Sequence, residues 1–165
     1  MYKIFLDIET TGLSPLEKQV TCICAKSENS NFKESNQDES LLLINFKEYL
    51  LKHSIEESEF VTKNGKMFDI PFLLIRATLN NLDYKFIIDY NHFDLQDITS
   101  KRVSLDDMAT LYGVKNKSAS GLQAIDWFYK GKYEEIEDYC WQDVLTTEEV
   151  YKKWRELHVQ PKSKL

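Results

Sequence analysis

The run Lys3-Ile4-Phe5-Leu6-Asp7-Ile8-Glu9-Thr10-Thr11-Gly12-Leu13 constrains this chain more than any other stretch. Ile4 to Ile8 is short, apolar and rich in branched and aromatic side chains, the pattern of a buried strand. Two carboxylates interrupt it. Strand side chains alternate between faces, so Asp7 and Glu9 share one, roughly 7 Å apart. Burying two like charges is costly unless a positive centre stands between them, and a divalent cation meets that need. The plainer alternative is a strand end emerging into solvent with Glu9 on its rim.

At 165 residues the chain suits one domain, expected over residues 1–160 with a short tail at 161–165, large enough for a core without disulfides or structural metal. Cys22, Cys24 and Cys140 form no even framework and no paired zinc pattern, so Cys22 and Cys24 read as half-buried strand residues in a reducing compartment. No signal peptide or membrane-spanning apolar run is visible, and an intracellular protein is expected. The last three residues, Ser163-Lys164-Leu165, match the short peroxisomal address that a receptor reads. The net charge of −6 argues against strong non-specific binding to nucleic acid. Two bound divalent cations would offset much of it locally, with acid such as Glu134-Glu135-Ile136-Glu137-Asp138 lying on the far side.

Further along, strands are expected near Gln19–Ala25 and Asn31–Ser35, joined by the polar turn Ser27-Glu28-Asn29-Ser30-Asn31 in an antiparallel meander. From Asp38 to Lys52, Leu41, Leu42, Ile44, Phe46, Tyr49, Leu50 and Leu51 suit an amphipathic helix. A fourth strand over Glu59–Thr62 leads through Asn64-Gly65-Lys66-Met67-Phe68 into a helix that ends near Asn80, with Asp69 near its N-cap and Pro71 in its first turn. Lys85–Asp89 reads as a fifth strand. Short helices follow from His92 to Tyr112, the better one capped by Ser104 and ended by Gly113. A polar, basic loop spans 114–121, and a helix over Gly121–Tyr129 stops at Gly131. The last helix runs from about Tyr133 to Leu157, with Ile136, Cys140, Val144, Val150, Tyr151, Trp154 and Leu157 available to the core and Pro161 beyond it. This order of elements indicates a mixed α/β layer fold.

Two more carboxylates sit beside apolar residues at element ends. Asp69 occupies a strand-to-helix turn, where an N-cap worth about 1 kcal/mol is the simpler role. Tyr139 and Asp143 lie four residues apart and share a helix face. Asp143, between Trp141 and Val144, is in crowded surroundings for an unpaired acid.

Taken in order, Asp-x-Glu-Thr-Thr-Gly-Leu, Asn-Gly-x-x-Phe-Asp-x-Pro and Tyr-Cys-x-x-Asp-Val resemble the three exonuclease motifs of the DEDD superfamily of proofreading-type 3′–5′ exonucleases. Tyr139, four before the last acid, is similar to the tyrosine subgroup; no histidine stands four or five before Asp143. The middle and last motifs look most like the exonuclease domains of family B DNA polymerases and their stand-alone relatives, and the similarity covers about residues 1–155. The resemblance implies a ribonuclease H-like fold, a five-stranded mixed sheet flanked by helices.

It further implies that Asp7, Glu9, Asp69 and Asp143 hold two divalent cations, Mg²⁺ or Mn²⁺, since all-oxygen ligands suit hard ions. Such ions activate water and stabilise a leaving 3′-oxygen. Tyr139 would position the water, because a phenol with an ordinary pKa of about 10 is a poor free base. By the same resemblance Thr10 and Thr11 stand near the terminal nucleotide, Leu13 wedges against the last base, Phe68 stacks on one and Asn64 reaches a phosphate or sugar. The alternative for Leu13 and Phe68 is core packing. Lys63, Lys66, Lys115 and Lys117 are candidate backbone contacts. Asp94, Asp97, Asp106 and Asp107 match no ligand position and are expected to cap helices, and His53, His92 and His158 are isolated. The expected activity is release of nucleoside 5′-monophosphates from single-stranded DNA 3′ ends, with a polymerase or repair partner acting in trans. An RNA exonuclease and an idle nucleic-acid-binding accessory subunit are the alternatives.

Overall fold

The computed structural model describes residues 1–99, 101–115 and 121–159. Its centre is a five-stranded sheet in the order β3-β2-β1-β4-β5, formed by β1 (Tyr2–Thr10), β2 (Val20–Lys26), β3 (Asn31–Ser35), β4 (Ser58–Thr62) and β5 (Asn91–Asp94). The first three strands form the expected antiparallel meander, and β4 and β5 add in parallel. This is the mixed sheet of a ribonuclease H-like fold.

Alternation along β1 divides the core. Ile4, Leu6 and Ile8 point with Ile23 and Ala25 toward α1 (Glu39–Leu50) and α2 (Asp69–Leu79). Phe5, Cys22, Cys24 and Val61 point the other way and are covered by α5 (Tyr133–His158), with α3 (Leu105–Leu111) and α4 (Gly121–Tyr129) alongside. At 26 residues, α5 runs about 39 Å, long enough to cross the whole sheet. Lys33 pairs with Asp138 on it, and the Ser35 N–H donates to Glu137, so the acidic start of α5 caps the β3 edge.

The Asp38 side chain accepts from the Leu41 N–H and starts α1, whose buried face is Leu42, Leu43, Phe46, Tyr49 and Leu50. Leu41, Ile44 and Leu51 turn outward instead of joining that face, and Leu157 is exposed near the end of α5. Glu39, buried at the start of α1, accepts from the Val20 N–H, from Arg76 Nε and Nη2, and from Asn80 Nδ2. One carboxylate thus joins α1, α2 and the first residue of β2. Arg76→Ala leaves that charge buried without its counter-ion, and such breaks cost about 3 kcal/mol or more. The expected result is a markedly lower urea midpoint at unchanged m-value.

One expected strand is absent. Lys85–Asp89 is a 3₁₀ helix, and the fifth strand begins only at Asn91. Tyr84, Ile87 and Tyr90 recur every third residue and all are buried, while Ile88 is exposed; this is the 3₁₀ period rather than the alternation of a strand. The Tyr84 and Tyr90 hydroxyls donate to backbone carbonyls at Leu43 and Leu50, which fastens this segment to α1. The His92–Asp94 stretch, read as helical, is β5 itself. The described part of the 114–121 loop contains buried Val114; residues 116–120, Lys117 among them, and Pro161 with the C-terminal Ser163-Lys164-Leu165 lie outside the described residues. No helix among the described residues is long and apolar enough to cross a membrane.

Candidate active site

The site forms where β1 runs out past the end of β4, under the middle of α5. Asp7 and Glu9 share the β1 face turned toward α5, as strand alternation requires. α5 presents Asp143 to them, and carboxylate oxygens of Asp7, Glu9 and Asp143 lie within 4.8 Å of one another. Burial, followed by the charges of Asp143, Asp69 and Glu9, pushes Asp7 well above the usual carboxylate range. Glu9 is raised by burial, Asp143 and Asp69 in the same way. Burial and then the nearby Asp106 push Asp143 up to about 7.

Asp69 is not in that trio, but it stands close enough for its charge to act on both Asp7 and Glu9. It is only 4% exposed, and burial pushes it up to about 7 against the opposing pull of its own backbone N–H and that of Ile8. It is not the N-cap of α2. Phe68 holds that position without a side-chain cap, and Asp69 is the first helical residue, with its carboxyl buried.

Tyr139, one turn before Asp143, brings its hydroxyl into this field. Its pKa is raised by burial and then by the charges of Asp143, Glu9 and Asp7, so the phenol keeps its proton. Trp127 of α4 meets the ring edge-on at a centroid distance of 6.4 Å.

Asp94, expected only to cap a helix, does more. At 2% exposure it accepts from the backbone N–H groups of Asn64 (2.7 Å), Lys66 (3.0 Å) and Gln96 (2.8 Å). It thereby fixes the loop that leads to Asp69, in which Asn64 adopts a left-handed conformation at φ 64°. Gly65 is required in this loop, because a Cβ there would lie 2.5 Å from Thr62 Oγ1. Asp106, also set aside as a cap, sits beside Asp143 and Tyr139. Nothing local in the sequence marks it, since its proximity depends on α3 packing against α5. Asp97 pairs with Lys66, and Asp107 with Ser104, as caps and surface partners.

The expected substrate contacts divide. Leu13 is 84% exposed, so it is not a core residue. Phe68 is partly buried and tilts against Phe72 at 5.3 Å, which favours its packing role. The Thr10 hydroxyl donates to Gly12 O and Thr11 Oγ1 accepts from the Gln19 N–H, shaping the turn after β1. Lys63 donates to Gln96, and Lys115 is exposed.

Cys22 and Cys24 are fully buried rather than half-buried. In the β1–β2 register Asp7 faces Cys24 and Glu9 faces Cys22, so the two thiols lie beside the two acids on one sheet face. Cys140 of α5 closes over them, with its Sγ 3.6 Å from Asp7 Oδ2.

Comparison with known proteins is consistent with this architecture. A sequence profile of the RNase H superfamily matches residues 4–155. The chain belongs to the RNase H superfamily. An uncharacterized protein of Methanocaldococcus jannaschii is 32% identical over 99 residues, which cover 59% of this RNase H superfamily chain and 54% of that relative. The match therefore spans about half of that protein's length. Among solved structures, the family B DNA polymerase of Pyrobaculum calidifontis superposes with a TM-score of 0.71 at 17% identity, over 95% of this chain and 24% of the polymerase. Escherichia coli exonuclease I bound to a dA16 oligonucleotide gives 0.61 at 13% identity, over 94% of this chain and 41% of that one. At these identities the likeness is one of fold.

Proposed function

We propose that this RNase H superfamily chain is a metal-dependent 3′–5′ exonuclease of the tyrosine-type DEDD class, releasing nucleoside 5′-monophosphates from single-stranded DNA. The observation that carries this reading is the meeting of Asp7, Glu9 and Asp143 oxygens within 4.8 Å, with the charge of Asp69 acting on Asp7 and Glu9 and their charges acting on Tyr139. Each of these acids has a raised pKa, from burial and from neighbouring carboxylates, and a cation held among them would offset that repulsion. The all-oxygen donors of this cluster suit hard cations such as Mg²⁺ or Mn²⁺. When bound, those cations supply Lewis acidity and neutralise charge developing on the phosphodiester.

The chain's own residues then have separable tasks. Asp7, Glu9 and Asp143 hold the cations, and Asp69 completes the set from the start of α2. Tyr139, kept protonated by its surroundings, orients the attacking water through its hydroxyl. Leu13, which is exposed, meets the terminal base, and Thr10, Thr11 and Asn64 contact that nucleotide, while Phe68 packs against Phe72. A polymerase or repair enzyme acting in trans is the proposed protein partner. The preference for DNA draws support from the fold shared with exonuclease I, whose structure holds a DNA oligonucleotide.

Tyr139→Phe should cut turnover by about 100-fold while single-strand affinity changes by less than about 2-fold, because the ring stays and only the positioning hydroxyl is lost. The test of the whole reading compares four single strands: linear DNA with a free 3′-hydroxyl, the same strand blocked by a 3′-phosphate, a circle, and matched RNA. Mononucleotides from the free DNA end, with the circle left intact, are expected. Cutting of the circle identifies an endonuclease, and a preference for RNA reassigns the substrate.

A further inference from the structure

The sequence contains three cysteines, and all three meet at one point. Their Sγ atoms lie within 4.8 Å of one another, with Cys22 and Cys24 at 3.9 Å. They come from two different elements. Cys22 and Cys24 are alternate residues of β2 and so project from the same face, and Cys140 reaches down from α5. All three are fully buried and all are free thiols.

We infer that Cys22, Cys24 and Cys140 form a binding site for a thiophilic d¹⁰ cation of the Zn²⁺ or Cu(I) kind, adjoining but separate from the carboxylate cluster. A cation held at about 2.3 Å from each sulfur requires sulfur–sulfur separations of roughly 3.8–4.0 Å, for tetrahedral to trigonal geometry. The Cys22–Cys24 separation already has that value, at 3.9 Å. The third corner, Cys140 Sγ, stands within 4.8 Å of both. Buried cysteine is often just a small apolar residue. Here, however, the side chains converge sulfur to sulfur from a strand and a helix.

The donor chemistry separates the two sites. Thiolates select soft and borderline cations, while the acids of the neighbouring cluster select hard ones. The two clusters touch where Cys140 Sγ lies 3.4 Å from the Asp7 backbone oxygen and 3.6 Å from Asp7 Oδ2. Each thiol that binds the cation releases its proton to solvent.

Cd²⁺ is the probe, added to reduced full-length protein in excess Mg²⁺ so that hard-ion sites are already filled. The expected result is a thiolate-to-metal charge-transfer absorption that saturates at one equivalent and is displaced by the more thiophilic Cu(I). It should be lost in Cys24→Ala and in Cys140→Ala, each checked for folding by circular dichroism; if one fails to fold, the other decides. It should persist in Asp143→Asn, which removes the proposed nuclease function, so failure of the nuclease reading and failure of this one fall on different measurements. No absorption at one equivalent, absorption that survives either cysteine substitution, or Cd²⁺ that Cu(I) does not displace overturns the inference.

Discussion

Asp143→Asn should make the metal-free protein more stable and, in the same molecule, abolish its nuclease activity. Asparagine preserves the shape of the side chain but removes its charge. Asp143 is the largest charge acting on both Asp7 and Glu9, and its own pKa is already pushed up to about 7 by burial and Asp106. At pH 8 without metal, removing that charge relieves repulsion across the cluster. For a chain of this size each kcal/mol of relief appears as about 2–4 °C in Tm. With metal present the sign reverses, because a ligand oxygen has lost its charge, and turnover should drop at least about 1,000-fold. A residue that merely packed α5 against the sheet would lower stability when altered and would not oppose stability to activity. Thermal unfolding in chelator and in Mg²⁺, beside a nuclease assay on the same preparation, checks both halves.

The metal-free protein should lose stability as pH rises from 5 to 8, and divalent cations should restore it. Asp69 and Asp143 have folded pKa values raised to about 7 from an ordinary 3.8. Asp7 and Glu9 are raised as well. Between those limits the folded chain binds more protons than the unfolded one, so unfolding becomes easier as pH increases. The stabilisation due to these groups is complete below the unfolded pKa and is lost as pH passes through the folded one. With two groups shifted this far, Tm in chelator should fall by at least about 5 °C over that interval. Mg²⁺ or Mn²⁺ binds the folded carboxylates and competes with protons for them, so its stabilising effect should be large at pH 8 and small at pH 5. A Tm in chelator that rises between pH 5 and 8 would show that the acids are not clustered.

Much of this was readable from local pattern. Strand alternation alone put Asp7 and Glu9 on one face, and the periodicity of α5 put Tyr139 and Asp143 one turn apart on another. Those signals repeat every two or nearly every four residues and survive any change in the surroundings. Lys85–Asp89 suits a strand by composition, because Phe86, Ile87 and Ile88 are aromatic or branched; only the burial of Tyr84, Ile87 and Tyr90 reveals the three-residue period. Asp106 and Asp94 escaped for a different reason. Each acts across the tertiary structure, Asp106 from α3 toward α5 and Asp94 from β5 toward the loop before α2. The cysteines combine both cases: the β2 spacing put two thiols on one side, but nothing local put Cys140 over them.

The central claim is that four acids far apart in the chain serve one metal-dependent reaction at a strand's 3′ end. Digestion of 5′-labelled single-stranded DNA tests it most directly. A ladder should shorten from the 3′ terminus in Mg²⁺ or Mn²⁺, stop in chelator, resume when metal is restored, and be absent throughout in Asp7→Ala. Shortening that continues in chelator, or that Asp7→Ala leaves intact, would contradict the account.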